Sequence, residues 1–94
     1  MTTAIEAAIE KFRCGDKENA FFDLIEVPGD AISGIIDAFR VEARSDIRAF
    51  LVKAAWERRD PAVLPFLAQA LTDDAEEVWQ EALDGLVAHL PKSH

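Results

Sequence analysis

The chain has 94 residues, half of them hydrophobic, which is enough for one small domain with a continuous core and too few for two independent domains. Eighteen acidic against ten basic side chains give a net charge of −8, which repels phosphate backbones and disfavours nucleic acid as a partner. Helix-forming residues are abundant, Tyr is absent, and Gly and Pro number four each, so the composition predicts a single all-α domain over residues 1–94.

The first predicted pair of helices occupies about residues 2–27. Thr2 or Thr3 can cap its first helix, and Gly15 is placed to end that helix at the C′ position. Asp16 can then open the second helix. The apolar residues that recur at helical spacing, and that we expect to face inward, are Ile5, Ala8, Ile9 and Phe12 in the first helix and Ala20, Phe21, Leu24 and Ile25 in the second.

The second predicted pair occupies about residues 30–59. Pro28 and Gly29 break the chain before it, and Asp30 can cap its first helix. No strong breaker separates its two helices, so the boundary is marked mainly by Ser45, a plausible N-cap, and one continuous helix is the alternative. The residues expected to face inward are Ile32, Ile35, Ile36 and Phe39, then Ile47, Phe50, Leu51, Ala54 and Ala55, with Val52 and Trp56 extending the last stripe. A helix that is apolar on most sides is typically packed between neighbours.

The third predicted pair occupies about residues 60–90, and residues 91–94 form a short tail. Asp60 is a good N-cap, and Pro61 fits the first helical position. The turn and start signals of the following helix are Thr72, Asp73, Asp74, Glu76 and Glu77. The residues expected to face inward are Val63, Leu64, Leu67 and Leu71, then Val78, Ala82, Leu83, Leu86 and Leu90.

A spacing of 31 residues relates the three pairs. It connects Ile5, Ile36 and Leu67, and the further triplets are Ala20, Leu51 and Ala82; Phe21, Val52 and Leu83; and Leu24, Ala55 and Leu86. Similar size and polarity at one period indicates a repeated architecture in which each pair buries a face against the next. Asp16 departs from the pattern, because Ile47 and Val78 predict an apolar residue there, so the first pair is expected to be a terminal cap.

Ten residues of the third pair share a recognisable spacing: Asp60, Pro61, Val63, Pro65, Leu67, Leu71, Asp73, Val78, Ala82 and Leu86. This pattern resembles the HEAT repeat, particularly the short bacterial type related to phycobilisome lyases. The resemblance implies a right-handed α-α superhelix of about three helical hairpins, or six helices, that acts as a noncatalytic protein-binding or scaffold module. A repeat of this type usually has Arg after the valine, where this chain has Trp79.

The predicted binding surface lies on the successive second helices and consists of Arg44, Arg48, Trp56, Arg59, Trp79, Glu81 and Asp84. Residues 40–59 carry six basic and three acidic side chains, whereas residues 60–91 carry no basic and seven acidic ones. The basic stretch is either a solvated surface with local ion pairs, which we prefer, or a site for an acidic partner. We favour a core or edge position for Trp56, and Trp79 either anchors a partner or packs against Leu83.

Chemistry-bearing residues are sparse. No nucleophile, base and orienting group occur at an interpretable spacing, so we expect no enzyme activity and no cofactor. His89 and His94 lack a closed set of ligands, so we expect no metal site, and the lone Cys14 cannot form an internal disulfide. Two alternatives stay open: an acidic inhibitor or immunity-type protein, and a degenerate lyase-like or nucleic-acid-processing HEAT enzyme.

The expected partner is an unidentified protein in the cytoplasm. No apolar run approaches the length of a bilayer span, and no basic segment leads into an apolar signal sequence, so we expect no membrane association. The last helix ends at Pro91, and no polar helix follows to cover Val87 and the Trp79 edge. This predicts a weak homodimer through the C-terminal repeat, with contact to a larger assembly as the alternative.

Overall fold

The computed structural model describes residues 3–27, 31–58 and 60–89, and all regular elements in these ranges are helical. The six α-helices are α1 (Ala4–Arg13), α2 (Lys17–Glu26), α3 (Ala31–Val41), α4 (Ser45–Glu57), α5 (Leu64–Ala70) and α6 (Glu76–His89), and a 3₁₀ turn over Pro61–Val63 leads into α5. The radius of gyration of 12.7 Å is close to the value of about 13 Å for a compact domain of this size. The all-α prediction is confirmed.

Several helix ends form where the sequence predicts them. The Thr3 hydroxyl accepts a hydrogen bond from the Glu6 N–H at 3.1 Å, and the Asp60 carboxylate accepts one from the Ala62 N–H at 2.9 Å. Gly15 follows α1 with a φ of +96°, a conformation that costs glycine little. The predicted signals Thr2, Pro28, Gly29, Asp30 and Pro91 lie outside the described residues.

Two caps differ from the prediction. Asp16 precedes α2, but its carboxylate caps no backbone N–H and instead accepts a hydrogen bond from the Asn19 amide at 3.1 Å. Ser45 is the first residue of α4 rather than its N-cap, and its hydroxyl donates to Glu77. The N-cap position falls to Arg44, whose backbone is extended and whose side chain makes no capping bond. Local sequence therefore positions these two helix starts only approximately.

The connection between α3 and α4 is a true break, so the continuous-helix alternative is wrong. Helix α3 ends at Val41, and α4 begins at Ser45. The Arg48 guanidinium donates to the carbonyl oxygens of Glu42 and Ala43, at 3.2 and 2.9 Å. These bonds satisfy backbone groups that the helix no longer pairs.

Consecutive helices pack as pairs, α1 with α2, α3 with α4, and α5 with α6. Helix α4 is central, since it also packs against α2 and α6, and α1 packs against α3. The fully or almost fully buried residues of α4 are Ile47, Phe50, Leu51, Val52, Ala54 and Ala55. This arrangement explains why α4 is apolar on most sides, as the sequence indicates.

Two leucines predicted to face inward are exposed, Leu71 at 37% and Leu83 at 46%. Leu71 lies just beyond the last residue of α5, and the preceding 3₁₀ turn rotates the short helix so that Phe66 and Ala70 fill the core instead. Leu83 lies outside the buried side of α6, which consists of Val78, Ala82 and Gly85. The predicted inward position of Leu90 lies outside the described residues.

Within the described ranges, no helix combines the length and the apolar character needed to cross a lipid bilayer.

Candidate functional site

The seven residues predicted to form one binding surface are divided among separate places. Arg44 and Arg48 lie near the α3–α4 connection, Trp56 and Glu81 meet between α4 and α6, and Trp79 and Asp84 lie on the partly or fully exposed part of α6. Arg59 lies outside the described residues.

Arg48 is a structural link rather than a solvated charge. Its Nε and Nη2 atoms each lie 3.2 Å from the Asp73 carboxylate, while Nη1 donates hydrogen bonds to the carbonyl oxygens of Glu42 and Ala43. The Arg48 and Asp73 side chains are 19% and 14% exposed. Asp73 also accepts a hydrogen bond from the Ala75 N–H at 2.9 Å, which fixes the turn before α6. Arg48 thus joins the second helical pair to the third.

Other arginines are also engaged within the molecule. Arg13 Nη2 lies 2.5 and 3.1 Å from the two Glu42 carboxylate oxygens, which links the first pair to the second. This contact raises the pKa of Arg13 above its ordinary value, mainly through the hydrogen bond to Glu42. Arg58 donates to the carbonyl oxygens of Leu24 and Ile25, at 3.2 and 3.0 Å. It thereby provides hydrogen-bond donors for carbonyl groups in the last turn of α2.

Arg44 makes a local pair. Its Nε and Nη2 atoms donate to the two Asp46 carboxylate oxygens at 3.1 and 2.7 Å. The hydrogen bond from Arg44 holds the pKa of Asp46 below its ordinary value. Both side chains are more than one-third exposed, so the pair contributes little to stability. These contacts agree with the preferred interpretation of the basic stretch as a surface with local ion pairs.

Trp56 fastens α4 to α6. Its indole Nε1 donates to Glu81 Oε1 at 3.0 Å. The indole also lies against Gly85, where an added Cβ would approach the Trp56 Cγ and Cδ1 atoms to 2.6 and 2.7 Å. The side chain is only partly exposed, and the sequence analysis favoured a core or edge position for it. The pairing with Glu81 was not predicted, because residues 56 and 81 lie in different helical pairs and no local pattern connects them.

One side of α4 is covered, and the corresponding side of α6 is open. Arg48, Val52 and Trp56 precede Trp79, Leu83 and Val87 by 31 residues, and both sets recur every four residues on one side of a helix. In α4 this side contacts the third helical pair, and Val52 is 0% exposed.

In α6 the corresponding side is open. Leu83 is 46% exposed, Val87 is 58% exposed and Trp79 is partly exposed. We call Trp79, Leu83 and Val87 the α6 end face. Asp84 is exposed beside it, and residues 60–91 contain no lysine or arginine. The face is therefore apolar with acidic surroundings.

A second feature lies on the side of the second helices. The α2–α4 cleft has a volume of about 420 Å³ and is lined by residues of α1, α2, α4 and α6. Phe12 and Phe50 stack in it with ring centroids 4.5 Å apart, while Lys17 and Lys53 lie 5.3 and 5.4 Å from the ring centroids of Phe12 and Phe21. Glu81 also lines it, alone among the six predicted surface residues that the structure describes. The cleft was not predicted from the sequence, because these aromatic residues were expected only in the core.

Among the described residues, no three His, Cys, Asp or Glu side chains are grouped closely enough to share a metal ion. Cys14 is exposed and free.

A scan against protein-family models, a search of curated proteins and a search of solved structures each found no match to this chain.

Proposed function

We propose that the chain is a noncatalytic protein-binding module that engages its partner through the surface of α2, α4 and α6, with the α6 end face as the anchor. The observation that carries the proposal is the exposure of Leu83 and Val87 at the register where α4 is covered by the next pair. Large side chains exposed together on one helix are a common property of interaction surfaces. Trp79 adds a residue type enriched in interface hot spots.

The proposed architecture is a HEAT-like superhelix of three hairpins. Three observations support it: the 31-residue spacing, the packing of consecutive helices as pairs, and the central position of α4 between α2 and α6. The Arg13–Glu42 and Arg48–Asp73 contacts are polar links across the two junctions between pairs. In α6 the position equivalent to Arg48 is Trp79, so that position offers an apolar ring instead of a further polar link of this kind.

The partner that fits this face is a protein with an apolar ridge and basic flanks, met in the cytoplasm. Exposed Glu76 and Asp84 lie on the same helix as the end face, and complementary charge favours a basic partner. The acidic third pair is also the observation that favours the acidic-inhibitor alternative, which differs only in requiring that the partner be an enzyme. The enzyme alternative has no specific observation in its favour, and we do not propose it.

Affinity capture with matched leucine variants tests the proposal. The immobilised wild-type chain, Leu83→Ser and Leu71→Ser are exposed to extract from the cells that express it, and bound proteins are quantified by mass spectrometry. Both leucines are exposed, at 46% and 37%, so neither substitution should unfold the domain. We expect a partner retained by wild type and Leu71→Ser and reduced on the order of tenfold with Leu83→Ser.

An identical set of bound proteins on all three columns would contradict the proposal. Sedimentation of the purified chain separates the homodimer prediction from binding to another protein. If the α6 end face pairs with its own copy, Leu83→Ser shifts the chain toward monomer. If it serves a different protein, wild type and variant sediment alike and differ only in capture.

A further inference from the structure

A second groove lies between α1 and α3, and no α6 residue lines it. The α1–α3 groove has a volume of about 810 Å³, compared with about 420 Å³ for the α2–α4 cleft. It is lined by residues from Thr3 to Arg13 and from Gly34 to Glu42. At a rise of 1.5 Å per residue, these stretches make it about 12–15 Å long, which corresponds to two or three turns of a docked helix.

Part of the groove is apolar. Its lining includes Ile5 and Ile9 of α1, and Gly34, Ala38 and Val41 of α3. An added Cβ at Gly34 would lie 2.5 Å from the Ile5 Cδ1 atom, so the glycine lets Ile5 rest against the backbone of α3. Val41 is 85% exposed, the highest value among the large hydrophobic residues that the structure describes as exposed. This lining can accept apolar side chains from a partner.

The charged residues of the groove are mostly acidic. Four carboxylates, those of Glu6, Glu10, Asp37 and Glu42, stand against one guanidinium, that of Arg13, which leaves a net charge of −3. Arg13 is bound to Glu42 and lies 3.4 Å from Glu10. Glu6 and Asp37 have no ion pair with another described residue, so the field at the rim is negative.

We infer that the α1–α3 groove binds a cationic amphipathic helix of a partner protein, with apolar side chains against Ile5, Ala38 and Val41 and basic side chains beside Glu10 and Asp37. An apolar groove between two helices is the usual receptor for an amphipathic helix. The acidic rim selects for lysine or arginine on the flanks of that helix. The inference is independent of the proposed function of the α6 end face, and together the two sites make the chain a scaffold that joins two proteins.

A synthetic probe tests the groove directly. The probe is a fluorescein-labelled amphipathic helical peptide of leucine and lysine, and its leucine–glutamate counterpart is the negative control. Binding is measured by fluorescence anisotropy at low salt, and the contact site is located from backbone amide shifts in an NMR titration. We expect the lysine peptide alone to bind and to shift the amides of Gly34, Ala38 and Val41.

Two double variants separate groove binding from general attraction to an acidic protein. Glu10→Lys/Asp37→Lys and the control Glu26→Lys/Asp74→Lys each replace two exposed carboxylates with two ammonium groups, so both change the net charge of −8 to −4. We expect the groove variant to weaken binding on the order of tenfold or more and the control to stay within about twofold. Equal weakening by both variants would overturn the inference.

A second matched pair tests the apolar contact without disturbing the core. Val41→Ser removes an exposed groove residue, and the control Leu71→Ser removes an exposed residue outside both the groove and the α6 end face. We expect only Val41→Ser to weaken the lysine peptide. Failure of the peptide to bind, amide shifts confined to α6, or concentration-dependent self-association that produces the same shifts without peptide would each overturn the inference.

Discussion

Helices α4 and α6 occupy equivalent positions in successive pairs but differ in what covers them. Along α4, Val52 is fully buried, whereas Leu83 at the same register of α6 is 46% exposed. Trp56 of α4 is held by Glu81, and Val87 of α6 is 58% exposed. The same helix side is therefore buried in α4 and exposed in α6.

The apolar pattern of a helix therefore does not by itself report burial. Periodicity identifies the side that can pack, while contacts in three dimensions determine whether that side is covered. In the described part of this chain, that side is covered in α4 and exposed in α6.

The largest effect on stability is expected from replacing leucine by aspartate in α4, and the same replacement in α6 should be tolerated. Leu51→Asp should abolish the cooperative thermal transition, because Leu51 is 0% exposed and the carboxylate would be buried without a partner. That cost of several kcal/mol is comparable with a total stability of about 5–14 kcal/mol. Leu83→Asp should retain a cooperative melt by circular dichroism. An unchanged melt of Leu51→Asp would refute the assignment of α4 as the central helix.

The second effect concerns the polar link between the second and third pairs. Arg48→Ala removes four hydrogen bonds, two to Asp73 and two to backbone carbonyls, and we expect a loss of about 1–3 kcal/mol in urea unfolding. The control Arg44→Ala breaks only an exposed local pair and should change stability by about 0.5 kcal/mol or less. Equal effects of the two substitutions would contradict the structural role of Arg48.

The sequence predicts much of the fold because many of its signals are local. The Thr3 and Asp60 caps, the left-handed Gly15 and the apolar stripe of α4 each depend on neighbouring residues alone. The break before Ser45 was predicted mainly from Ser45, with a continuous helix as the alternative, because the Arg48 contacts that support it include a long-range link to Asp73.

The candidate site was predictable only in part. An uncovered edge at Trp79 and Val87 was predicted from the sequence, and the structure shows Val87 exposed. Arg48 and Trp56 were assigned to a binding surface, and both make contacts between the second and third pairs. Side chains on one face of successive helices either bind a partner or join the helical pairs, and only three-dimensional contacts distinguish these roles.

A smaller effect is expected at the two glycines that permit close helix contacts. Gly85→Ala should destabilise the domain by about 1–2 kcal/mol, because the added methyl group meets the Trp56 ring and its Cβ, and this overpacking outweighs a helix-propensity gain of about 1 kcal/mol. Gly34→Ala meets mainly the end of the flexible Ile5 side chain, so its stability should stay within about 1 kcal/mol of wild type. Thermal melts that rank the two variants in the opposite order would contradict the Trp56–Gly85 packing.

The smallest effect depends on pH. Since Arg44 lowers the pKa of Asp46 in the folded chain, the pair stabilises the fold above the unfolded pKa of Asp, about 3.9, and this contribution is lost as the pH falls through the folded pKa. The difference between wild type and Arg44→Ala should therefore be less than about 1 kcal/mol at pH 7 and vanish at strongly acidic pH. Urea titrations at several pH values measure it, and a difference that grows on acidification has the wrong sign for this pair.

The most direct test of the account compares cysteine reactivity at the register pair Val52 and Leu83. Val52→Cys and Leu83→Cys are made separately in a Cys14→Ser background, which removes the exposed native thiol. Each protein is then labelled with a thiol reagent at low concentration. We expect the labelling rate of Leu83→Cys to lie within about tenfold of the rate of an unfolded thiol. We expect the labelling of Val52→Cys to be slower on the order of a thousandfold or more until the protein unfolds. Equal protection of both thiols would contradict it, because the α6 end face would then be as covered as its counterpart on α4.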